Sequence, residues 1–279
     1  MPVARSILGV TMIIDCFPFF NEYDVLECRL QYLDDIVDRF VIVETDVTFS
    51  GKSKRYNLID NISRYKKWQH KIVYLPFSFD VTGHDFSYKP KELDFNAPSW
   101  KVEWAQCNHI QRLIEMCNDN DMLLISDVDE IPYKNGIRLA AQLLPEAKII
   151  SFEQLLFYYN FQNLVKESWV GSVLTYASEA KKHNPEYFKR IKWYIPKITN
   201  GGCHASYFCS PEDIKYKIES FSHQEFNTEE NTNVDNIKTK ILSNKGPFGE
   251  KTIERIENPR SILDPEFYSV FSRFDINNA

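Results

Sequence analysis

Four short apolar runs in the first half of the chain have the length expected of buried strands. They cover residues 7–15, 39–44, 72–77 and 122–125. Such runs, bounded by polar or turn-forming segments, are typical of strands covered on both faces. The segments between the first three runs have room for helices. This alternation predicts an α/β fold with a parallel sheet and crossover helices.

Helical spacing appears between these runs. After Asn21, a predicted N-cap, apolar residues recur at the helical period and predict one buried face: Leu26, Leu30, Leu33 and Val37. Residues 99–118 also follow a helical pattern. Residues 78–98 are rich in aromatic and turn-forming residues, and they predict a long loop of the kind that is functional or mobile.

The second half of the chain carries shorter patterns. They predict strands at residues 148–152, 169–176 and 201–208, and a helix at residues 136–144. Ser210 begins a further helix that runs to about residue 222, with proline and two acids in its first turn. Residues 227–236 are polar and predict an exposed loop, and the late aromatic residues are expected to pack back on the core.

The fourth apolar run ends in an acidic motif, Asp127-Val128-Asp129-Glu130, followed by Ile131-Pro132. Side chains alternate in an extended chain, so Asp127 and Asp129 leave the strand on the same face. Ligand sites of open α/β sheets lie at the carboxyl ends of strands. Oxygen ligands suit Mg²⁺ or Mn²⁺. A solvated turn is the competing interpretation, and the position after a buried strand favours a metal site.

Composition narrows the class of protein. The 279 residues are 43% hydrophobic and 26% charged, as in ordinary globular chains. A net charge of −6 argues against a general nucleic-acid binder, which needs a basic surface. Six scattered cysteines without a Cys-x-x-Cys pair indicate neither a zinc site nor a disulfide framework. No apolar run is long enough for a membrane span and residues 1–10 are too short for a secretory signal, so we expect a cytoplasmic protein.

Six blocks of the sequence carry a resemblance to a known family. In chain order they are IIDCF at 13–17, NE at 21–22, VDRFVIVE at 37–44, TFSGK at 48–52, SDVDEIP at 126–132 and GGCH at 201–204. Their order and content resemble glycosyltransferase family 17, and the SDVDEIP block is the most specific. One position departs from the family pattern, because Cys203 stands where the family usually has tryptophan, an aromatic residue expected in the active site.

The resemblance implies a fold and a chemistry. The implied fold is GT-A-like: a Rossmann-type mixed, mostly parallel sheet flanked by helices. We expect a single domain over residues 1–279, with a nucleotide-binding half at about 7–132 and an acceptor-side half at about 133–279. The implied reaction moves a sugar, N-acetylglucosamine from UDP-N-acetylglucosamine, onto a glycan acceptor. Inversion at the anomeric carbon and dependence on Mn²⁺, or Mg²⁺, are implied with it.

Four residues are candidate metal ligands. Asp129 is predicted to bind the cation at the leaving diphosphate, while Asp127 binds the metal, metal-bound water or the ribose. GT-A enzymes often add a histidine from later in the chain, and both His204 and His223 are candidates. A lone histidine is more often an ordinary core or surface residue. Glu130 either orients these metal-binding residues or caps the turn that follows the strand.

An inverting transfer needs a base for the acceptor hydroxyl, usually a carboxylate. Glu225 is the preferred candidate because it lies near His223 in a predicted loop. Asp213 is the second candidate, and Glu212 and Glu153 are alternatives. Asp213 and Glu212 have a competing explanation, since acids in the first turn of a helix stabilise its dipole.

Several residues are candidates for donor binding, and each has an ordinary structural alternative. Glu44, at the end of the second strand, is placed to meet the nucleoside or is a solvated acid. Lys52 and Lys54, beside Gly51, would reach phosphates or remain solvated. Arg112 would pair with the diphosphate or lie on the surface.

The sequence therefore predicts a metal-dependent, inverting glycosyltransferase. Aromatic residues such as Trp169 would stack on sugars or belong to the core. One alternative is a degenerate domain that binds a nucleotide sugar or glycan without turnover, and hydrolysis of the donor is another. A haloacid-dehalogenase-type phosphatase also uses Asp-x-Asp. Its aspartates follow the first strand, however, whereas here Asp127 and Asp129 follow the fourth.

Overall fold

The computed structural model describes residues 11–249 and 253–278. Its strands are β1 (Ile13–Pro18), β2 (Arg39–Thr45), β3 (Ile72–Phe77), β4 (Met122–Ile125), β5 (Glu130–Pro132), β6 (Ile149–Tyr158), β7 (Asn163–Val165), β8 (Trp169–Tyr176), β9 (Lys197–Ser206) and β10 (Ile253–Arg255). Its α-helices are α1 (Tyr23–Leu33), α2 (Asn57–Asp60), α3 (Pro98–Asn108), α4 (Gln111–Ile114), α5 (Lys134–Ala147), α6 (Ala177–Ala180), α7 (Pro185–Ile191), α8 (Pro211–Ser220), α9 (Glu229–Thr232), α10 (Val234–Leu242) and α11 (Pro265–Phe271). Short 3-10 helices cover Ile62–Trp68, Gln224–Phe226, Pro259–Ser261, Ser272–Phe274 and Ile276–Asn278.

The described strands form one sheet in the order β10-β7-β6-β8-β4-β1-β2-β3, with β9 paired to both β6 and β5. The β4-β1-β2-β3 half is parallel throughout. In the other half β8 runs antiparallel to β4 and β6, whereas β9 runs parallel to β6. As a result β5, β7 and β8 oppose the common direction of the other strands. The predicted α/β fold, a mostly parallel Rossmann-type sheet flanked by helices, is confirmed.

The core lies on both faces of this sheet. In β2, Phe40 and Ile42 belong to one apolar cluster, and Val41 and Val43 belong to the other. The first cluster packs against α1, α5 and α11, and the second packs beside α4, α6 and α7. Because side chains of a strand alternate, both faces of β2 must be apolar, which explains its unbroken hydrophobic run.

Most predicted elements of the first half occur where expected, with three differences. The first strand begins at Ile13 and ends at Pro18, and residues 7–10 of the predicted run lie outside the described residues. The helix predicted over 99–118 is divided into α3 and α4. The predicted cap at Asn21 is wrong, because Glu22 is the N-cap of α1 and no side chain caps it. Glu22 Oε2 instead accepts hydrogen bonds from the backbone N–H groups of Phe20 and Asn21.

The second half departs from prediction more often. The exposed loop predicted over 227–236 is wrong, because α9 and most of α10's first turn lie there. The polar residues suggested a loop, but Thr228 and Asn233 use their side chains to cap these helices. The expected return of late aromatic residues to the core is confirmed by Phe267 and Phe271, which are fully buried.

In residues 11–249 and 253–278, no helix has both the length and the apolar character needed to cross a membrane.

Candidate active site

The turn that carries the acidic motif is held by a buried arginine. Arg29, on α1, forms a fully buried ion pair with Asp15 of β1, at 2.6 Å. Its guanidinium also donates to the backbone oxygens of Asp127, Val128 and Glu130, at 2.8 to 3.0 Å. Five donors in a rigid plane suit such a task. Arg29 therefore fixes the backbone from which both aspartates project.

Each acid of the motif has its own lysine. Asp127 Oδ1 is 2.8 Å from Lys189 Nζ, and Asp129 Oδ2 is 3.0 Å from Lys217 Nζ. Lys189 also pairs with Glu103 at 3.1 Å, and Lys217 with Glu22 at 2.8 Å. Glu130 Oε1 pairs with Lys192 Nζ at 2.9 Å.

Glu130 both orients the motif and caps its turn. Its Oε2 accepts a hydrogen bond from the backbone N–H of Asp127 at 3.1 Å, and its Oε1 accepts one from the indole of Trp169 at 2.7 Å. Burial opposes ionisation, but Lys192 and the nearby His204 outweigh it and lower the pKa of Glu130 to about 2. Glu130 is therefore a charged structural anchor beneath the site.

The two aspartates have different electrostatic environments. Burial would raise the pKa of Asp129, but Lys217 and His204 outweigh it and hold that pKa well below its ordinary value. Burial raises the pKa of Asp127 above its ordinary value, and Lys189 opposes this rise. Asp129 therefore stays ionised across the whole physiological range.

A cavity of about 420 Å³ opens at the carboxyl ends of β1 and β4. Its acidic wall consists of Glu22, Asp127, Asp129, His204 and Lys217. Its aromatic wall consists of Trp100, Phe221, His223, Phe226 and Phe248. A concave site with a few convergent polar groups at this edge of an α/β sheet is the expected place for a ligand.

The position of His204 is fixed by the pairing of β9 with β5. Glu130 is opposite His204, Ile131 is opposite Cys203, and Pro132 is opposite Gly202. A Cβ on Gly202 would collide with the backbone oxygen of Ile131, so only glycine lets the two strands approach this closely. The imidazole of His204 lies beside the ring of Trp169, with centroids 5.0 Å apart.

Cys203 lies on the opposite face of β9 from His204. Its side chain is fully buried in the core, and it does not line the cavity. A tryptophan at this position would therefore occupy core space in this backbone. The expectation that the departure removes an aromatic residue from the active site is not supported by the placement of Cys203.

The side chains available as metal ligands suit a divalent cation that is bound together with a diphosphate. Asp129 Oδ1, which Lys217 leaves available, is 3.5 Å from His204 Nε2, and both residues line the cavity. Within the described residues there is no cluster of three or more candidate ligands. Mg²⁺ does not require one, since it is commonly held by one or two carboxylates together with phosphates and water.

The charge balance around the motif favours the same conclusion. Five carboxylates, of Glu22, Glu103, Asp127, Asp129 and Glu130, meet three ammonium groups, of Lys189, Lys192 and Lys217. The excess of two negative charges would repel a diphosphate. A cation with two positive charges balances the excess, so the residues present fit the group.

The second predicted histidine lies on the aromatic wall. His223 lines the cavity, but its Nδ1 is 2.7 Å from Oε1 of Glu225. The predicted metal candidates are therefore divided, with Asp127, Asp129 and His204 on the acidic wall and His223 on the other. Glu225 is almost fully buried behind His223 and is not part of the cavity lining.

Most of the other candidates for donor binding lie outside the cavity lining. Glu44 is fully buried and accepts hydrogen bonds from Lys54, Tyr74 and the backbone of α2, which favours a structural role. Lys52 and Arg112 are exposed. Lys54 does line the cavity.

The alternative bases are engaged elsewhere. Asp213 accepts a hydrogen bond from Ser210 Oγ at 2.6 Å at the start of α8, as expected for an acid in a first turn. Glu212 on the same turn is exposed, and Glu153 accepts a hydrogen bond from Ser168. None of these three is in the cavity lining.

Sequence reasoning missed Arg29 and the three lysines. An arginine on the otherwise apolar face of α1 was a signal, because a buried charge requires a partner, and Asp15 lies within an apolar strand. The lysines gave no comparable signal. Lys217 meets Asp129 across 88 residues of sequence, and the helices that carry the lysines have exposed charges of the same kind.

Comparison with known proteins gives the class. The sequence matches the profile of glycosyltransferase family 17 over residues 7–249. It is 24% identical over 127 residues to the β-1,4-mannosyl-glycoprotein 4-β-N-acetylglucosaminyltransferases of Rattus norvegicus and Homo sapiens. That match covers 45% of this chain and 22% of each of those proteins, so it spans about a fifth of their length.

Among solved structures, the galactosyltransferase LgtC in complex with donor and acceptor sugar analogs is similar with a TM-score of 0.35 and 11% identity. The alignment covers 94% of this chain and 95% of that one. The family match spans most of the chain, and the chain belongs to glycosyltransferase family 17.

Proposed function

We propose that this chain transfers N-acetylglucosamine from UDP-N-acetylglucosamine to a glycan acceptor, with inversion and with Mn²⁺ or Mg²⁺. Membership of the family supports glycosyl transfer in general. The observation that carries the proposal is the convergence of Asp127, Asp129 and His204 on one cavity at the carboxyl end of β4. The donor sugar is suggested by the names of the relatives in rat and human, which are N-acetylglucosaminyltransferases.

The acidic wall would receive the diphosphate end of the donor. Asp129 and His204 would hold the cation, which when bound supplies positive charge at the departing diphosphate. Lys217 keeps Asp129 ionised and fixes its orientation through Oδ2. Asp127, whose side chain is 36% exposed, is placed to accept a hydrogen bond from the donor.

Trp169 would orient the transferred sugar. Its ring lines the cavity beside His204, and its indole N–H is directed to Glu130. A ring held at one edge in this way presents an apolar surface, and sugar rings pack on such surfaces. The position of the sugar is thereby coupled to the anchor that shapes the acidic motif.

The test is a transfer assay with a panel of donors. The wild-type protein is incubated with UDP-N-acetylglucosamine, UDP-galactose, UDP-glucose or GDP-mannose, Mn²⁺ and an N-glycan acceptor that contains β-linked mannose. We expect glycosylated product from UDP-N-acetylglucosamine, with the opposite anomeric configuration to the donor by NMR. Product from another donor alone, or retained configuration, would refute the corresponding part of the proposal.

Two variants define the control. Asp129→Asn should reduce kcat by roughly 10²- to 10³-fold, the usual cost of losing one electrostatic stabiliser. Asp235→Asn changes an exposed acid in the first turn of α10 and should leave transfer unchanged. Release of UDP without glycosylated product would favour donor hydrolysis. Donor binding without turnover would favour a degenerate binding domain.

A further inference from the structure

A histidine and a glutamate form a pair on the aromatic wall. His223 follows α8, and its Nδ1 is 2.7 Å from Glu225 Oε1 at the start of the 3-10 helix Gln224–Phe226. The side chain of His223 is 38% exposed and lines the cavity, whereas that of Glu225 is 7% exposed and does not. The imidazole therefore separates the carboxylate from the cavity.

The carboxylate of Glu225 is directed at the imidazole alone. Its second oxygen, Oε2, is buried and has no hydrogen-bond partner among the described residues. A buried carboxylate with so few partners is costly unless a donor or a positive charge is beside it. Glu225 therefore favours a proton on Nδ1 of His223, which leaves Nε2 as the nitrogen able to accept another.

Ring packing fixes the orientation of His223. Trp100 meets the imidazole edge to face with centroids 4.8 Å apart, and the rings of Phe221 and Phe226 lie 5.7 Å and 5.9 Å away. In the described residues, Glu225 is the charged group paired with this imidazole. The other acidic, basic or histidine side chains of the cavity lining are Glu22, Lys54, Glu103, Asp127, Asp129, His204 and Lys217.

We propose that His223, positioned by Glu225, is the base that accepts the proton of the acceptor hydroxyl. This inference rests on the proposed glycosyl transfer. As the acceptor oxygen forms its bond to the anomeric carbon, the bond from that carbon to the donor phosphate breaks and its electron pair leaves with the diphosphate. The acceptor proton passes to Nε2 of His223, and Glu225 stabilises the imidazolium.

The sequence suggested that Glu225 itself accepts the proton of the acceptor hydroxyl. The geometry instead favours His223 as the group that accepts this proton and Glu225 as the group that positions it. A base must lie within hydrogen-bond reach of the proton that it removes. Glu225 is behind the ring of His223, so its carboxylate meets the imidazole rather than the cavity. Glu225 is a positioning residue, and His223 is the catalytic one.

Turnover of matched variants tests the assignment. His223→Gln should lower kcat by roughly 10²- to 10⁴-fold, the usual contribution of a general base, with little change in the Kd for UDP-N-acetylglucosamine. His70→Gln, which replaces an exposed histidine outside the cavity lining, should leave kcat unchanged. A wild-type kcat in His223→Gln would overturn the proposal.

The pH dependence tests the role of Glu225. Glu225→Gln removes the negative charge that stabilises the imidazolium, so the acidic limb of the pH profile of kcat should move to lower pH. The fall in kcat caused by Glu225→Gln should be no larger than the fall caused by His223→Gln. A merely structural role would lower kcat equally at every pH, and a profile of unchanged shape would overturn the positioning role.

A spectroscopic measurement tests the pair without turnover. In protein labelled with ¹⁵N-histidine, the His223 signal is assigned by its absence from His223→Gln. We expect the neutral ring to carry its proton on Nδ1, and Glu225→Gln should change that signal. A proton on Nε2 would refute the inference. Absence of glycosylated product from wild-type protein would refute the proposed function, whereas full activity of His223→Gln would refute this inference alone.

Discussion

The acidic wall and the aromatic wall of the cavity are held in place by different forces. On the acidic wall, Asp127 and Asp129 are each tied to a lysine, and Arg29 holds the backbone beneath them. On the aromatic wall, the rings around His223 pack on one another, and the one ion pair described there joins His223 to Glu225. Both aspartates of the acidic wall are paired with a cation before a ligand arrives, whereas the imidazole of His223 is paired with the carboxylate of Glu225.

Under the proposed function, this difference would give the two walls separate tasks. Preset charges suit a diphosphate and its cation, because they need no reorganisation when the donor binds. An imidazole that lines the cavity and has a carboxylate behind it suits the proton transfer proposed for His223. Changes to the acidic wall and its supports should therefore affect stability and donor binding. Changes to the aromatic wall should affect turnover.

Removing the support of the acidic wall should have the largest effect on stability. Arg29→Met leaves Asp15 charged and unpaired in the core and frees three backbone oxygens that Arg29 now binds. The expected loss is about 3–5 kcal/mol of unfolding free energy, measured by urea denaturation. Arg138→Met, at an exposed position on α5, is the control and should stay near wild type.

A double variant sharpens this prediction. Asp15→Leu with Arg29→Met removes both charges and should recover part of the lost stability. Binding of the nucleotide sugar should not recover, because the backbone oxygens of the acidic motif still lack the hydrogen bonds that Arg29 donates. Full recovery of donor binding would show that Arg29 does not position the motif.

Neutralising the anchor of the motif should have the next largest effect. Glu130→Gln removes the charge that Lys192 and Trp169 meet, at an expected cost of about 1.5–3 kcal/mol. The pKa of Glu130 is lowered from its ordinary 4.5 to about 2, so its contribution is complete above about pH 4.5 and is lost as the pH falls towards 2.

Denaturation curves between pH 2 and 7 measure this contribution. The wild type should lose stability relative to Glu130→Gln as the pH falls through that window. Glu146→Gln, an exposed acid on α5, supplies the control. A constant difference between wild type and Glu130→Gln at all pH values would contradict the ionised anchor.

A single methyl group at the strand pairing behind His204 should have a smaller effect. Gly202→Ala places a Cβ against the backbone of Ile131 and 2.8 Å from Pro132 Cα, so β9 must move away from β5. The expected cost is about 1–3 kcal/mol, by thermal denaturation. Because His204 is two residues away, affinity for the donor with Mn²⁺ should also fall. Wild-type affinity would show that the pairing does not position His204.

The smallest effect is expected on the aromatic wall. Phe226→Leu removes a stacked pair with Phe248, whose ring centroids are 4.1 Å apart. The unfolding free energy, measured by denaturation, should fall by about 0.5–1.5 kcal/mol in addition to the loss that comes from burying less apolar area. Donor affinity should be unchanged, because Phe226 is on the aromatic wall and the diphosphate is proposed to bind at the acidic wall. A large loss of donor affinity would contradict the separation of the two walls.

The sequence predicts the parallel half of the sheet best. Met122–Ile125 occurs at the predicted residues because both faces of this strand are covered, so its side chains are apolar without a break. Ile72–Phe77 also occurs at the predicted residues, although it is an edge strand whose side chains are mostly half-buried. In the other half of the sheet, β8 is predicted over 169–176 from a weak alternation and is found at Trp169–Tyr176. Local signals failed where polar residues cap helices, as Thr228 and Asn233 do before α9 and α10.

The candidate site is predicted only in part, because its partners are distant in sequence. Asp127 and Asp129 are adjacent to a recognisable strand, and His204 lies in a family block. The lysine at Asp129 comes 88 residues later, and no local pattern distinguishes Lys217 from the other lysines of its helix. The separation of Glu225 from the cavity by His223 depends on side-chain packing, which spacing along the chain does not reveal.

Calorimetric titration with UDP-N-acetylglucosamine, with and without Mn²⁺, tests the central claim most directly. Wild-type protein and Asp129→Asn are compared, with Asp235→Asn as the control. We predict that the wild type binds the donor tightly only with Mn²⁺ and that Asp129→Asn loses this dependence while remaining folded. Equal binding by wild type and Asp129→Asn at all Mn²⁺ concentrations would contradict a cation site on the acidic wall.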